Sequence, residues 1–168
     1  QIMILRGYKA TTVDEIIQQA GVAKGSFYHA FKSKEELAIA ALIDYKEKGW
    51  ALVTNSDYLD VEDPADRAIA FVQYLEDKAA EIWQHGCLLG SVAVEISDSS
   101  PVILDTIDEL LGEYEKAMAL VFNQALRARK INKVSGRELG KQLMVVVEGG
   151  IISAKSHSDT KILSVSIS

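Results

Sequence analysis

Residues 11–37 read TTVDEIIQQAGVAKGSFYHAFKSKEEL, and this stretch decides the fold. Thr12 is followed three residues later by Glu15, the spacing of a capping box in which each side chain satisfies a backbone N–H at a helix start. Apolar residues then recur at positions 13, 16, 17 and 20, which places them on one face of a short helix. Gly21 follows, where a helix C-cap favours a left-handed backbone. The pattern predicts a helix over residues 13–20.

A second short helix is predicted at Lys24–Phe31, closely after Gly21. Phe27 and Phe31 are spaced to face the interior. The other face carries Lys24, Gly25, Ser26, Tyr28 and His29. Ser33-Lys34-Glu35-Glu36 has a second capping-box spacing and opens a third helix. Two short helices joined by a glycine-containing turn make a helix-turn-helix, whose second helix normally enters the DNA major groove.

The same stretch closely resembles the DNA-binding domain of TetR-family transcriptional regulators. The matching residues are Gly7, Tyr8, Ala10, Thr11, Thr12, Val13, Ile16, Ala20, Gly21, Val22, Lys24, Gly25, Ser26, Phe27, Tyr28, Phe31, Lys34, Glu35, Glu36 and Leu37. They keep one register across residues 7–37, so the resemblance is specific. Ala23 stands where members often carry a Ser or Thr cap, and Ala30 where many carry an aromatic or polar residue. The base preference therefore stays open.

The resemblance implies a role for each polar residue of this segment. The residues implied to face base edges or the adjoining phosphates are Lys24, Gly25, Ser26 and His29. Those implied to bind phosphates are Thr11, Thr12, Tyr28 and Lys34. A lysine can bind guanine acceptors and a glycine lets the backbone approach closely, whereas phosphate contacts fix the register without reading sequence. The alternative for His29 is an ordinary exposed histidine.

The composition sets the class of protein. The 168 residues are 48% apolar and 25% charged, as in ordinary globular domains. The single cysteine excludes an intramolecular disulfide and fits a reducing compartment. No apolar run reaches the roughly 18 residues of a membrane span, and no signal peptide is visible. We therefore expect a cytoplasmic protein that makes no membrane contact.

The charge is divided unevenly along the chain. Its net value of −6 argues at first against a nucleic-acid binder. Residues 1–34, however, carry five basic and two acidic side chains, a net charge of +3, and the remaining residues carry −9. A basic head on an acidic body is expected where only the head meets phosphate. Chance clustering in a short segment is the alternative.

The rest of the chain is predicted to be helical, so the fold class is all-α. Residues 1–48 are predicted to form the DNA-binding domain, with a truncated first helix at Gln1–Arg6 that Gly7 ends. Residues 49–168 are predicted to form a regulatory and dimerisation body. Its helices and the linking helix are expected at about 33–54, 64–84, 87–96, 101–129 and 136–156, with loops at 55–63 and 97–100. The tail 159–168 is β-prone.

The helix at 136–156 predicts a dimer. Residues 143–154 are apolar nearly all round, and a helix without a polar face is buried on more than one side. The simplest second cover is another subunit, and burial within one chain is the alternative. The resemblance favours the dimer, because TetR-like regulators pair through their last two long helices. The predicted interface residues are Leu143, Val147, Gly150, Ile151 and Ala154.

Cys87 is the one potentially reactive group of the body. A resemblance to a subgroup of TetR-like regulators, some of which sense electrophiles or oxidants through cysteine, rests on Gly86, Cys87, Leu88, Leu89, Gly90, Ala93, Glu95, Ser97 and Asp98. A helix N-terminus lowers the pKa of a thiol. His85 and Lys155 are expected near it. The alternative for Cys87 is a small, buried apolar residue.

These patterns predict a transcriptional repressor that binds a palindromic operator and is released by a small-molecule inducer or a thiol-reactive stress. Candidate pocket residues, each of which could equally be plain core, are Phe71, Tyr74, Trp83, Tyr114, Met118 and Phe122. No catalytic motif, phosphate loop or strong metal-ligand spacing is present in the sequence, so neither cofactor nor metal is expected. Two alternatives stay open: a helical binding protein without operator binding, and a small thiol-dependent enzyme.

Overall fold

A computed structural model of the chain describes residues 1–54, 56–96 and 99–168. The regular structure within these ranges is helical only, which confirms the all-α prediction. The α-helices are α1 (Ile2–Arg6), α2 (Val13–Ala20), α3 (Lys24–Ala30), α4 (Lys34–Thr54), α5 (Pro64–Ile82), α6 (Leu88–Ile96), α7 (Pro101–Ala128), α8 (Gly136–His157) and α9 (Lys161–Ile167). A 3-10 segment, Asp57–Asp60, lies within the predicted loop before α5. Three residues of the predicted loops, Asn55, Ser97 and Asp98, lie outside the described ranges.

The chain forms two compact units. The first contains Gln1–Lys48 and Cys87–Leu110, and the second contains Gly49–Gly86 and Leu111–Ser168. Helices α4 and α7 therefore contribute to both units. One break coincides with the predicted domain boundary after residue 48, although the first unit also includes α6. Compactness does not define function, so the division into a DNA-binding domain at 1–48 and a body at 49–168 stays a prediction.

The helix starts follow from short-range side-chain bonds. The Thr12 hydroxyl accepts the Glu15 N–H at 3.2 Å while the Thr12 N–H donates to Glu15 at 2.8 Å, which confirms the predicted capping box of α2. Asp63 caps α5 just before Pro64, which occupies the first helical position. These bonds satisfy N–H groups that the helices leave without a partner.

The second predicted capping box is only half formed. The Ser33 hydroxyl accepts the Glu36 N–H at 3.1 Å, as expected. The Glu36 carboxylate, however, accepts the N–H of Lys32 at 2.6 Å rather than that of Ser33. Because Lys32 precedes Ser33, the carboxylate reaches one residue further back than in a capping box. The start of α4 is still capped.

The exposure pattern of α6 explains why residues 88–96 form a helix. Val92 is 1% exposed and Ile96 is fully buried, whereas Val94 between them is 80% exposed. In a strand, these three side chains would share one face, because side chains alternate with a period of two. Burial four residues apart is the helical pattern. The helix predicted at 87–96 is therefore confirmed.

Aromatic packing fills the core of the second unit. The Phe71 ring on α5 lies 5.2 Å from that of Tyr58 and 6.2 Å from that of Phe122, centroid to centroid. Leu75 and Ala79 continue the buried face of α5. Burying a side chain of the size of Phe71 stabilises the fold by about 1.5–3 kcal/mol. The core therefore fixes α5 against the 3-10 segment and α7.

Two glycines allow α7 and α8 to pack closely. A Cβ on Gly136 would overlap the Ala119 carbonyl oxygen, and a Cβ on Gly140 would lie 3.3 Å from the carbonyl oxygen of Glu115. The Gly136 N–H donates to the Asn123 side-chain oxygen at 2.9 Å. Glycines four residues apart let two helix backbones approach, because neither carries a side chain.

The five predicted interface residues of α8 are buried within the chain itself. They are Leu143, Val147, Gly150, Ile151 and Ala154. Helix α9 packs on α8, and a Cβ on Gly150 would lie 2.7 Å from Leu163 of α9. The structure thus gives this face the alternative role, burial within one chain. The opposite face of α8 is exposed, with Val145 at 73% and Ile152 at 64%.

The β-prone tail is helical, so that prediction was wrong. Residues Lys161–Ile167 form α9, which packs on α5 and α8. Its side chains Leu163 and Ile167 are buried in these contacts. Tertiary burial of Leu163 and Ile167 outweighs the weak intrinsic preference of valine and isoleucine for extended structure.

We expect Gly136→Ala to lower the free energy of unfolding by about 1–3 kcal/mol, because its methyl group must displace the backbone of α7. The matched control is Gly112→Ala on α7, where an added Cβ would meet no atom within 4 Å. That change should raise the free energy of unfolding by about 0.5–1 kcal/mol through helix propensity. Urea denaturation of both variants checks the pair. Equal effects would contradict close packing at Gly136.

Candidate nucleic-acid interface

Helix α3 presents a polar face to solvent. Its exposed residues include Lys24, Gly25, Ser26, Tyr28 and His29. Phe27 on the opposite face is buried, and the Tyr28 ring meets it edge-on at 5.1 Å between centroids. The contact holds the Tyr28 ring by its edge while leaving the side chain half exposed. The residues predicted to meet DNA from α3 thus lie on its solvent-facing side.

The angle between α2 and α3 is set by the turn at Gly21. Its backbone is left-handed, with φ at 67°, and its N–H donates to carbonyl groups of the last turn of α2. A residue with a Cβ would be strained there. The turn brings α2 and α3 into contact, so the helix-turn-helix predicted from the sequence is formed.

Lys24 is paired in the free protein. Its ammonium group lies 3.0 Å from the carboxylate of Asp14 on α2, and this hydrogen bond raises the pKa of Lys24. Both side chains are exposed, and exposed ion pairs contribute little to stability. The lysine can therefore exchange Asp14 for a DNA acceptor at small cost.

Thr11 has a structural role that contradicts its predicted phosphate contact. The residue is 0% exposed, and its hydroxyl donates to the Gly7 carbonyl oxygen at 2.7 Å. A fully buried hydroxyl cannot reach a phosphate without unfolding of the turn. Thr12, next to it, is exposed and caps α2. The phosphate contact of Thr12 stays a prediction.

The hydrogen bonds of the α2 cap also change the pKa of Glu15. The N–H and hydroxyl of Thr12 donate to Glu15, which lowers the pKa of that carboxyl, and the nearby Arg6 guanidinium lowers it further. Arg6 lies 2.8 Å from the carboxylate. Glu15 is therefore ionised at neutral pH and remains a cap when DNA approaches.

Lys34 points toward the turn that links α1 and α2. Its ammonium group lies 4.3 Å from the centre of the Tyr8 ring and 3.5 Å from the Lys9 carbonyl oxygen. Partial burial lowers the pKa of Lys34, while the charges of Glu95 and Glu15 oppose that shift. The lysine supports the turn in the free protein, and its phosphate contact stays a prediction.

Glu95 is a functional candidate to which the sequence analysis assigned no role, since it entered only the resemblance carried by residues 86–98. Its carboxylate accepts the N–H groups of Tyr8 and Lys9 at 3.1 and 2.8 Å. The available signal was its isolation, because it is the only charged residue in the apolar helix Leu88–Ile96. A half-buried acid in such a helix is expected to have a partner.

The predicted thiol sensor lies in the first unit. Cys87 is buried, and the Gly90 N–H lies 3.4 Å from its sulfur. His85 and Lys155 belong to the second unit, where both are exposed. The Lys155 side chain lies against Gly86, since a Cβ on that glycine would be 2.5 Å from the Lys155 nitrogen. An amide directed at sulfur favours a thiolate, whereas burial restricts access by a reagent. Both interpretations of Cys87 therefore stay open.

The predicted pocket residues do not gather around one cavity. Phe71 and Met118 are buried, the Tyr74 ring packs on Tyr58 at 5.7 Å, and the Tyr114 ring packs on Trp50 at 5.9 Å. Phe122 lines an apolar groove of about 500 Å³ between α5 and the end of α7. Trp83 and Lys155 line a smaller cavity of about 230 Å³ between α5 and the end of α8.

Among residues 1–54, 56–96 and 99–168, no group of three His, Cys, Asp or Glu side chains could hold a metal ion. No helix in the described ranges is long and apolar enough to cross a membrane.

Comparison with known families identifies the class of protein. Residues 1–41 match the family described as bacterial regulatory proteins of the tetR family, and residues 64–166 match the C-terminal domain of LmrA/YxaF-like transcriptional regulators. The chain therefore belongs to the TetR family of helix-turn-helix transcriptional regulators.

Individual relatives agree with this assignment. The HTH-type transcriptional regulator LmrA of Bacillus subtilis is 30% identical over 166 residues, which cover 96% of this chain and 85% of the relative. The HTH-type transcriptional repressor NemR of Escherichia coli is 25% identical over 132 residues, covering 79% and 65%. The crystal structure of regulatory protein TetR from Rhodobacter sphaeroides superposes with a TM-score of 0.82 at 24% identity, covering 98% of this chain and 89% of that one, and supports the fold.

We expect Thr11→Val to lower the free energy of unfolding by about 1–2 kcal/mol, because the Gly7 carbonyl loses a buried donor. Thr106→Val on α7 removes a hydroxyl that bonds a carbonyl at 3.0 Å on an exposed helix surface, and should change stability little. Thermal and urea unfolding check both variants. If the Thr11→Val protein had unchanged stability and weaker DNA binding, the result would support the phosphate contact predicted for Thr11.

Proposed function

We propose that this TetR-family regulator is a homodimeric repressor that binds a palindromic operator through α3 of each subunit. The proposal rests on the exposed polar face of α3, which the Gly21 turn joins to the end of α2. Such a helix enters the major groove in helix-turn-helix proteins. Repression is supported by the relative NemR, which is named a repressor. A chromosomal operator would place the protein in the cytoplasm.

The proposed DNA contacts are divided by type. The residues proposed to contact base edges or the adjoining phosphates are Lys24, Gly25, Ser26 and His29. Those proposed to bind phosphates are Thr12, Tyr28 and Lys34. Lys24 supplies the one cation of α3 that can bind the acceptors of guanine, once it leaves Asp14. Lys34 must likewise leave the Tyr8 ring to reach a phosphate. Phosphate contacts make the affinity strongly dependent on salt.

The proposed dimer uses the exposed face of α8. Val145, Gly149 and Ile152 follow each other at helical spacing and lie in solvent, opposite the face covered by α9. A second subunit that covered this face would bury its apolar side chains, which α9 leaves exposed. Two copies related by a two-fold axis would place two α3 helices on half-sites about one turn of DNA apart, on the order of 34–36 Å.

The proposed regulation is release from DNA by an inducer. The groove lined by Phe122 is apolar, with Glu76 and Arg129 at its margin, and its volume of about 500 Å³ suits a small organic molecule. Modification of Cys87 by a thiol-reactive compound is the second candidate trigger, supported by the amide of Gly90 beside its sulfur. Either trigger would favour one arrangement of the dimer over another. We propose no catalytic activity for the chain.

The test of this function is selection from a random duplex library with the purified protein at near-physiological salt. Enrichment of a palindromic sequence is expected, followed by saturable binding of that duplex. Binding without any enrichment above the non-specific level would favour the alternative of a helical binding protein without an operator. Turnover of an electrophile, rather than one-to-one modification of Cys87, would favour the thiol-dependent enzyme.

Lys24→Ala should weaken binding of the selected duplex by about 1–3 kcal/mol and relax the preference at one base pair of each half-site. The control is Lys116→Ala, which removes an exposed lysine of α7 outside the helix-turn-helix. Titration of both variants against the selected duplex and single-base substitutions checks the assignment. Uniform weakening over all duplexes would make Lys24 a phosphate contact instead.

The double variant Val145→Glu with Ile152→Glu should be monomeric, because two buried carboxylates per subunit cannot be solvated in an apolar interface. Val102→Glu, which places the same side chain at an exposed position of α7, should leave the dimer intact. Sedimentation velocity of the three proteins distinguishes the states. A dimeric double variant would move the interface away from this face of α8.

A further inference from the structure

We infer that Glu95 is the positioning residue that couples α6 to the helix-turn-helix and sets its affinity for DNA. The inference rests on the proposed operator binding and deepens it. Glu95 lies on the last turn of α6, and its two carboxylate oxygens accept the successive N–H groups of Tyr8 and Lys9. Hydrogen bonds to an ionised acceptor are about twice as strong as neutral ones.

The turn that receives Glu95 is built to fit it. Gly7 has φ at 90°, and a Cβ on this residue would lie 2.6 Å from the Glu95 Oε1 atom. Only glycine therefore permits the carboxylate to approach the backbone so closely. Behind the turn, the buried Thr11 hydroxyl holds the Gly7 carbonyl. The turn is thus fixed from both sides.

The position of this turn determines where the helix-turn-helix begins. Thr11 and Thr12 follow it directly, and Thr12 is the N-cap of α2. Helix α2 in turn contacts α3, the helix proposed to enter the major groove. A displacement of the turn therefore moves the N-terminus of α2 and the α2–α3 pair with it. Glu95 acts on DNA through these elements and touches no base.

A second bond ties the residue before α7 to the start of α4. The hydroxyl of the buried Ser100, which follows α6, donates to the Glu35 carboxylate at 2.6 Å. Glu35 lies in the first turn of α4, next to Lys34. Glu95 thus joins α6 to the turn before α2, and Glu35 joins the residue before α7 to α4. A shift of α6 is transmitted to the turn through Glu95.

An electrostatic role of Glu95 and a positioning role of Glu95 predict opposite effects of its substitution on DNA binding. If Glu95 acted only through its charge, its neutralisation would strengthen binding, because a carboxylate near DNA repels phosphates. If Glu95 positions the turn, its neutralisation weakens binding. Glu95→Gln keeps the shape and one accepting oxygen but turns a donor toward one of the two amides. Glu95→Ala removes both acceptors.

The experiment compares wild type, Glu95→Gln, Glu95→Ala and the control Glu109→Gln, an exposed carboxylate on α7 of the same unit. Amide hydrogen exchange by NMR, without DNA, is measured at Tyr8 and Lys9, and circular dichroism verifies that each variant is folded. Protection should be lost at one amide in Glu95→Gln and at both in Glu95→Ala. Unchanged protection in a folded Glu95→Ala protein would overturn the proposed bonds.

Affinity for the selected duplex is then measured for the same four proteins. We expect about tenfold weaker binding for Glu95→Ala, a smaller loss for Glu95→Gln, and equal or slightly tighter binding for Glu109→Gln. Equal or tighter binding by Glu95→Ala, with both amides unprotected, would overturn the positioning role. If the wild-type protein binds no duplex specifically, the proposed function is wrong, and so is the role of Glu95 in DNA binding. The amide exchange at Tyr8 and Lys9 still shows whether Glu95 accepts their hydrogen bonds.

Discussion

Two successive backbone N–H groups, those of Tyr8 and Lys9, are satisfied by a single carboxylate from a distant part of the chain, that of Glu95. This contact holds the turn between α1 and α2, which leads directly into the Thr12 cap of α2. Without it, two polar groups in a partly buried turn would need water or a new backbone path. The glycine at position 7 and the buried threonine at position 11 follow from the same constraint.

The helix cap and the turn of the helix-turn-helix could be predicted from sequence, because each depends on residues that are close together in the chain. These are Thr12 with Glu15 and Gly21 after α2, and the structure confirms both. Thr11 was misread because the resemblance places it among exposed polar residues, whereas its hydroxyl is fully buried in the turn. The contact of Glu95 with Tyr8 joins residues 87 positions apart, so no local pattern predicts it.

Helix α8 shows the limit of periodicity as evidence. The apolar character of residues 143–154 predicts burial on more than one side, but it does not tell which neighbour covers which side. The structure covers one side with α9, whose sequence favours extended structure and whose helix forms through burial of Leu163 and Ile167. The glycines that bring α7 and α8 together, Gly136 and Gly140, lie outside that apolar stretch. On the other side, Val145 and Ile152 are exposed.

Hydroxyl-radical footprinting on a selected operator tests directly whether two copies of α3 bind adjacent turns of one duplex. The account predicts two protected segments on one face of the DNA, related by two-fold symmetry and separated by about one helical turn. Guanines protected from methylation in the major groove should lie at their centres. A single protected segment, or continuous protection without symmetry, would contradict paired recognition by the helix-turn-helix.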